Sequence, residues 1–252
     1  MVINKFGLKG EVALITDAGR GLSKVVASAL GEAGADVVVA GGNTSALGQI
    51  ATEVHKLGRK VLTVPADITK PQQVQNIVQK TLSDFGKIDI LVNCAGVEFA
   101  KPLPDVTEEE WHRVIDTNLT SVFLCSRAVG RHMLERKKGR IINMASGLAR
   151  RGVSNLAVYC ASMGGIMQFT KALAIEWARE NIAVNGIGPG WFSEKVMSKE
   201  EAEKDPLARY IPLRRKGQLT DLAALVVYLA SDAGSYVTGQ TFFIDGGVMA
   251  HG

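Results

Sequence analysis

Cysteine is scarce in this chain. Cys94, Cys125 and Cys160 are odd in number and widely separated. That excludes a disulfide framework and thiolate metal spacing, and it suits a reducing cytoplasm, the expected location. The four histidines (His55, His112, His132 and His251) are scattered, so no metal site is expected. Charge of one sign is never concentrated: the net charge is only +4, and Arg136-Lys137-Lys138 and Arg214-Arg215-Lys216 are short runs. A nucleic-acid partner needs a sustained basic face and is not expected. No apolar run approaches a membrane span. Met1 to Gly10, with Lys5 and Lys9, has no apolar segment of signal-peptide length. Linkers, low-complexity tracts and internal repeats are absent too, which leaves one domain over residues 1–252 as the expectation.

What the chain does have is an alternation of short apolar runs with longer helical patterns. Val12 to Thr16, Asp36 to Ala40, Val61 to Val64, Ile88 to Val92, Arg140 to Met144, Ile182 to Ile187 and Thr241 to Ile244 read as strands. Helices are expected between them, at about Gly21–Ala33, at Thr44–Leu57, from Pro71, from Thr107 to Arg136, from Tyr159 onward, and at about Asp221–Leu229. Thr107-Glu108-Glu109-Glu110 reads as a capping box. Strands apolar on both faces and separated by helices indicate a parallel sheet covered on both sides. Right-handed crossovers then give a Rossmann-like, doubly wound α/β fold of about seven strands.

In such a sheet ligands sit at the carboxyl ends of the strands, near the switch in strand order. The turn Thr16-Asp17-Ala18-Gly19-Arg20-Gly21-Leu22-Ser23 lies there and opens a helix, the context of a phosphate-binding turn. Ser146 ends a strand, and Tyr159 opens the next helix. Two hydroxyls so placed can hydrogen-bond one carbonyl oxygen and polarise it for hydride attack. A loop-capping serine and a core-edge tyrosine are the blander readings. Asn118 lies inside a helical pattern, where its propensity is poor, and that points to a specific role.

In their order along the chain, this turn, Asn93-Cys94-Ala95-Gly96, Asn118, Ser146, Tyr159 and Pro189-Gly190 resemble the short-chain dehydrogenase/reductase family. Val114 to Asn118 and Tyr236 to Gly247 are similar to its bacterial sugar-alcohol and oxoacyl-reductase members. The resemblance covers essentially the whole chain. It implies that Ser146 holds the substrate oxygen, that Tyr159 exchanges its proton, and that Asn118 anchors a water in a proton relay. It implies a nicotinamide cofactor bound by Thr16, Gly19, Arg20, Gly21 and Leu22, by Asp67 at the adenine, and by Asn93, Ala95, Gly96, Pro189 and Gly190. The implied partner is a small carbonyl or alcohol substrate, and the implied assembly a homotetramer.

The departures from that pattern fall on the cofactor footprint. Four residues beyond the tyrosine, where the family has a lysine that holds the ribose and lowers the tyrosine's pKa, stands Met163. Lys171, three turns along, is too far away to substitute. With an ordinary phenol pKa near 10, only about one tyrosine in a thousand is ionised at pH 7, so alcohol oxidation should suffer more than carbonyl reduction. Asp17 and Ser23 stand at positions of expected glycine. A carboxylate about 5 Å from a pyrophosphate charge costs roughly 3 kcal/mol at an effective dielectric near 20. Glu194 replaces the threonine that the family sets against the carboxamide. Strand two ends in Ala40-Gly41-Gly42-Asn43, with neither an acid for a ribose 2′-hydroxyl nor a base for a 2′-phosphate. Arg20 and the room at Gly42 lean toward NADP over NAD. Two outcomes are consistent with this pattern: an oxidoreductase with weak or atypical cofactor binding, or a binding or assembly subunit that has lost hydride transfer.

The helices around Thr107–Arg136 and Val158–Glu180 carry more apolar residues than one sheet-facing stripe requires. Val122, Phe123, Val129 and Met133 on the first, and Ile166, Phe169, Leu173 and Trp177 on the second, are expected to face a partner subunit.

Overall fold

The computed structural model describes residues 2–16, 21–193 and 195–250. Seven parallel strands form the central sheet: β1 (Val12–Thr16), β2 (Asp36–Gly41), β3 (Val61–Pro65), β4 (Ile90–Asn93), β5 (Gly139–Met144), β6 (Ile182–Pro189) and, last in the chain, β9 (Thr241–Ile244). Their order across the sheet is β3-β2-β1-β4-β5-β6-β9. The expected architecture is therefore the observed one. The chain winds outward from β1 to β3, returns to the other side of β1 at β4, and winds outward again. The β1–β4 boundary is the switch point, where loops on either side part and leave a crevice.

The helices α1 (Gly21–Glu32), α2 (Thr44–Lys56), α3 (Pro71–Phe85), α4 (Glu108–Ile115), α5 (Ser121–Arg136) and α6 (Ala157–Trp177) follow the expected spacing. A lid region holds β7 (Phe192–Ser193), α7 (Lys199–Lys204), α8 (Pro206–Tyr210) and β8 (Gly217–Gln218), and α9 (Thr220–Ala230) leads back to the sheet. The capping box at Thr107 is present, with Glu110 closing it. The long helix expected from Thr107 to Arg136 is broken: Asp116–Thr120 is a π-turn between α4 and α5, and Asn118 is its buried residue. A π-turn opens the backbone ladder and re-aims side chains, often beside a functional site. The poor propensity of asparagine there thus marked a real discontinuity.

The second apolar stripe is mostly consumed within the chain. Val122, Val129, Met133, Ile166, Leu173 and Trp177 are all buried here. Trp177 packs on Gly130, where a Cβ would collide with the indole. The expectation that these residues face a partner is corrected for those six, because α5 and α6 pack on each other as well as on the sheet. Phe123 is exposed and Phe169 half-buried. With Arg127, whose guanidinium lies 4.7 Å from the Phe123 ring centroid, they line a groove between the two helices.

At the amino ends of the strands, Asp89 ties three segments together. It accepts from the Val12 amide at 2.9 Å, from Lys87 at 2.9 Å and from Arg136 at 2.9 Å. Burial by itself would push this carboxyl up, but the bonds from Lys87, Val12 and Arg136 outweigh it and hold it below its ordinary 3.8. A depressed carboxylate stabilises the fold in full above its unfolded pKa and loses that contribution as pH falls through the folded value. Asp89→Asn is therefore expected to cost about 2 kcal/mol at pH 7, the scale of a charged hydrogen bond. In denaturant titrations the gap between parent and variant should shrink as pH falls below 3.8. An equal gap at both ends of that range would remove the carboxylate's charge from the explanation.

Candidate active site

The cleft at the switch point encloses about 960 Å³, open mouth included, and is walled by loops from four strand ends. Leu22 and Ser23 come from the first turn of α1, Ala95 and Gly96 from just past β4, Ser146 from just past β5, and Pro189 and Gly190 from the end of β6. A second cavity of about 710 Å³ lies against it. Ser146, Tyr159, Pro189 and Gly190 border both spaces, so the serine and tyrosine expected from the sequence do stand together at the junction.

Ser146 is held for two purposes. Its Oγ accepts from the Leu148 amide at 3.2 Å and caps the 3-10 turn Gly147–Ala149. The capping reading was thus correct as far as it went. Because the hydroxyl accepts from its own backbone, its proton remains to be donated into the junction. Tyr159 sits in the first turn of α6, and its carbonyl accepts from Ser162 Oγ at 2.8 Å. Ser162 in turn accepts from Asn118 Nδ2 at 2.9 Å.

Asn118 is not among the residues bordering either cavity. Its Oδ1 accepts from the Val97 amide at 2.7 Å and its Nδ2 donates to the Val97 carbonyl at 3.1 Å. The side chain clamps the loop after β4 onto the π-turn and, through Ser162, onto the base of Tyr159. The local signal for Ser162 was absent, since a serine in a helix has many roles.

Met163 lies one turn beyond Tyr159, 2% exposed, and packs with Val122 and Ile166. It also borders the cleft. Lys171 is exposed and lies roughly 18 Å along the helix from Tyr159, by the rise per residue. Ser23 is buried at the cleft wall, consistent with a side chain in a tight helix–strand contact.

Four expected cofactor residues among those described, Asn93, Asp67, Thr16 and Gly21, do not border this cleft. The first, Asn93, is corrected: it pairs in register with Asn143, so both side chains project from the same sheet face. There Asn93 Nδ2 donates to Asn143 Oδ1 at 2.8 Å and to Ser126 Oγ at 3.2 Å, and Asn143 Nδ2 to Thr170 Oγ1 at 2.9 Å. That buried ladder fastens the sheet to α5 and α6. Asp67, exposed at the end of β3, has its Oδ1 taken by Thr69 Oγ1 at 2.7 Å and the Thr69 amide at 2.9 Å. The Thr69 hydroxyl chiefly holds its carboxyl below the usual range, so it is ionised at neutral pH. Thr16 is buried at the end of β1, its Oγ1 without a hydrogen-bond partner among the described residues. Gly21 opens α1. Asp17, Gly19, Arg20 and Glu194 lie outside the described residues.

A Rossmann-like sheet with a serine and a tyrosine converging at its switch-point cleft defines the class of protein. A family model described as enoyl-(acyl carrier protein) reductase matches residues 18–249. The 3-oxoacyl-(acyl-carrier-protein) reductase of Synechocystis sp. is 39% identical over 244 residues, 96% of this chain and 98% of that protein. The 5-keto-D-gluconate 5-reductase of Escherichia coli (strain K12) is 36% identical over 248 residues, 97% of each. The crystal structure of a gluconate 5-dehydrogenase from Burkholderia cenocepacia, in complex with NADP and tartrate, superposes with a TM-score of 0.92 at 34% identity and full coverage of both chains. The chain belongs to the short-chain dehydrogenase/reductase family. Among the described residues, no helix is long and apolar enough to cross a membrane, and no His/Cys/Asp/Glu group could hold a metal ion.

Proposed function

We propose that the chain is a cytoplasmic oxidoreductase that reduces a small ketone to a secondary alcohol, of the sugar-alcohol or oxoacyl kind, with NADP favoured over NAD. The observation that carries this reading is the shared position of Ser146 and Tyr159 at the junction of cleft and cavity. The cleft fits a dinucleotide at its centre: a Cβ at Gly96, on its wall, would meet only open space. Leu22, Ser23, Ala95, Gly96, Pro189 and Gly190 would hold the cofactor, and Asp67 would lie toward its adenine. When bound, the nicotinamide supplies or takes the hydride.

The protein's own part is to manage the oxygen. Ser146 donates a hydrogen bond to the substrate carbonyl, and Tyr159 gives its phenolic proton as negative charge develops there. With Met163 in place of an ammonium, no neighbouring cation at that position draws the proton off the phenol. Reduction, which needs the proton, suffers less than oxidation, which needs it gone. Asp17, Ser23 and Glu194 weaken cofactor binding further, while Arg20 and the open space beside Gly42 favour a 2′-phosphate. Titration of the pure protein with NADH and NADPH, read by nicotinamide fluorescence or heat, tests this: NADPH should bind more tightly. One observation favours the second reading, a binding or assembly subunit: Met163 is packed into an apolar cluster rather than merely present. Loss of measurable binding by both dinucleotides would establish that reading instead.

The groove between α5 and α6, with Phe123 and Phe169 on its walls, supports assembly through these helices. A homotetramer with closed symmetry is expected in solution. Light scattering at micromolar concentration should give four times the 26.9 kDa chain mass; the mass of a monomer would refute it.

A further inference from the structure

The segment Val97–Lys101 is fastened at both ends. Asn118 grips the amide and carbonyl of Val97, and the Lys101 amide donates to the Asn155 carbonyl at 2.7 Å while its ammonium meets Glu110 at 2.8 Å. Between these fastenings, Glu98 is presented to the junction, where it borders both the cleft and the substrate cavity. The other charged residues of the substrate cavity are already engaged. Asp245 accepts from the Gly247 amide at 2.9 Å and the Met249 amide at 2.7 Å. Arg151 donates to Tyr210 Oη at 2.8 Å and lies over that ring. Glu98 has no hydrogen bond or ion pair among the described residues.

A carboxylate is an acceptor only. On the same walls as Ser146 and Tyr159, it can form charge-assisted bonds with ligand hydroxyls and repel a ligand carboxylate. We infer that Glu98 is a specificity-determining residue that selects neutral hydroxyketones and polyols and disfavours sugar acids. This rests on the reading of Ser146 and Tyr159 as the reacting pair, and it departs from the gluconate named for the relatives. At contact distance the charge effect is about fivefold in affinity in bulk water and larger in a partly enclosed cleft, so about tenfold is expected here.

D-glucitol and D-gluconate share one carbon chain and differ only in a terminal CH2OH against a carboxylate. Saturation-transfer NMR titrations of both, on the whole protein with and without NADPH, give their affinities independently of turnover. The parent should bind glucitol about tenfold more tightly than gluconate, and Glu98→Gln should bring the two within about threefold. A parent preference for gluconate, an unchanged ratio in Glu98→Gln, or binding of neither ligand would overturn the inference. Selective glucitol binding without any turnover would leave Glu98's role standing and count against the catalytic reading alone.

Discussion

Replacing Tyr159 by phenylalanine is expected to lower kcat for carbonyl reduction by roughly 10²- to 10⁴-fold, the contribution typical of a positioned general acid. The change removes one hydroxyl and little else. The ring still packs beside Met163 and Val122, and the Tyr159 carbonyl still accepts from Ser162. KM should therefore move little, which is the signature of an interaction made mainly in the transition state. Ser146→Ala is a less clean control, because it also strips the cap from the Leu148 amide and loosens the turn. Steady-state NADPH oxidation with a small diketone measures the effect. A Tyr159→Phe enzyme within threefold of its parent would mean that water or another group delivers the proton.

Much of this fold could be read along the chain because each central strand is a local apolar run and each helix a local period. Ala95, Ser146 and Gly190 follow directly, since strand ends in a doubly wound sheet converge on the switch point. What was not legible depends on contacts far apart in sequence. The direction of the Asn93 side chain is set by its register with Asn143 on another strand. The burial of Val122, Ile166 and Trp177 follows from α5 and α6 sharing an interface, which a single helical wheel cannot reveal. Glu98 looks like an ordinary loop acid until Asn118, 21 residues beyond Val97, is seen gripping that neighbour. The strands Phe192–Ser193 and Gly217–Gln218 are two residues each, too short for any periodicity to show.

Met163→Lys should raise alcohol oxidation by about 10- to 100-fold and carbonyl reduction by less, because only oxidation needs the ionised phenol. Residues four apart lie on one helix face, so the new side chain rises beside Tyr159. The lysine stem can follow the track of the methionine through Val122 and Ile166 while its ammonium emerges into the cleft that Met163 already borders. A cation there favours tyrosinate, and a phenol that ionises one pH unit lower supplies about ten times more of it at pH 7. The basic limb of the oxidation pH profile should accordingly move to lower pH by roughly 1 to 2, the range an adjacent opposite charge imposes. The parent site is 2% exposed, so part of the gain is offset by the cost of desolvating an ammonium, visible as a lower melting temperature. If cofactor binding limits turnover, the single change yields little, and adding Asp17→Gly should then tighten dinucleotide binding by removing a carboxylate that repels the pyrophosphate. A double variant whose binding, turnover and pH profile all match the parent would show that neither Met163 nor Asp17 limits this site.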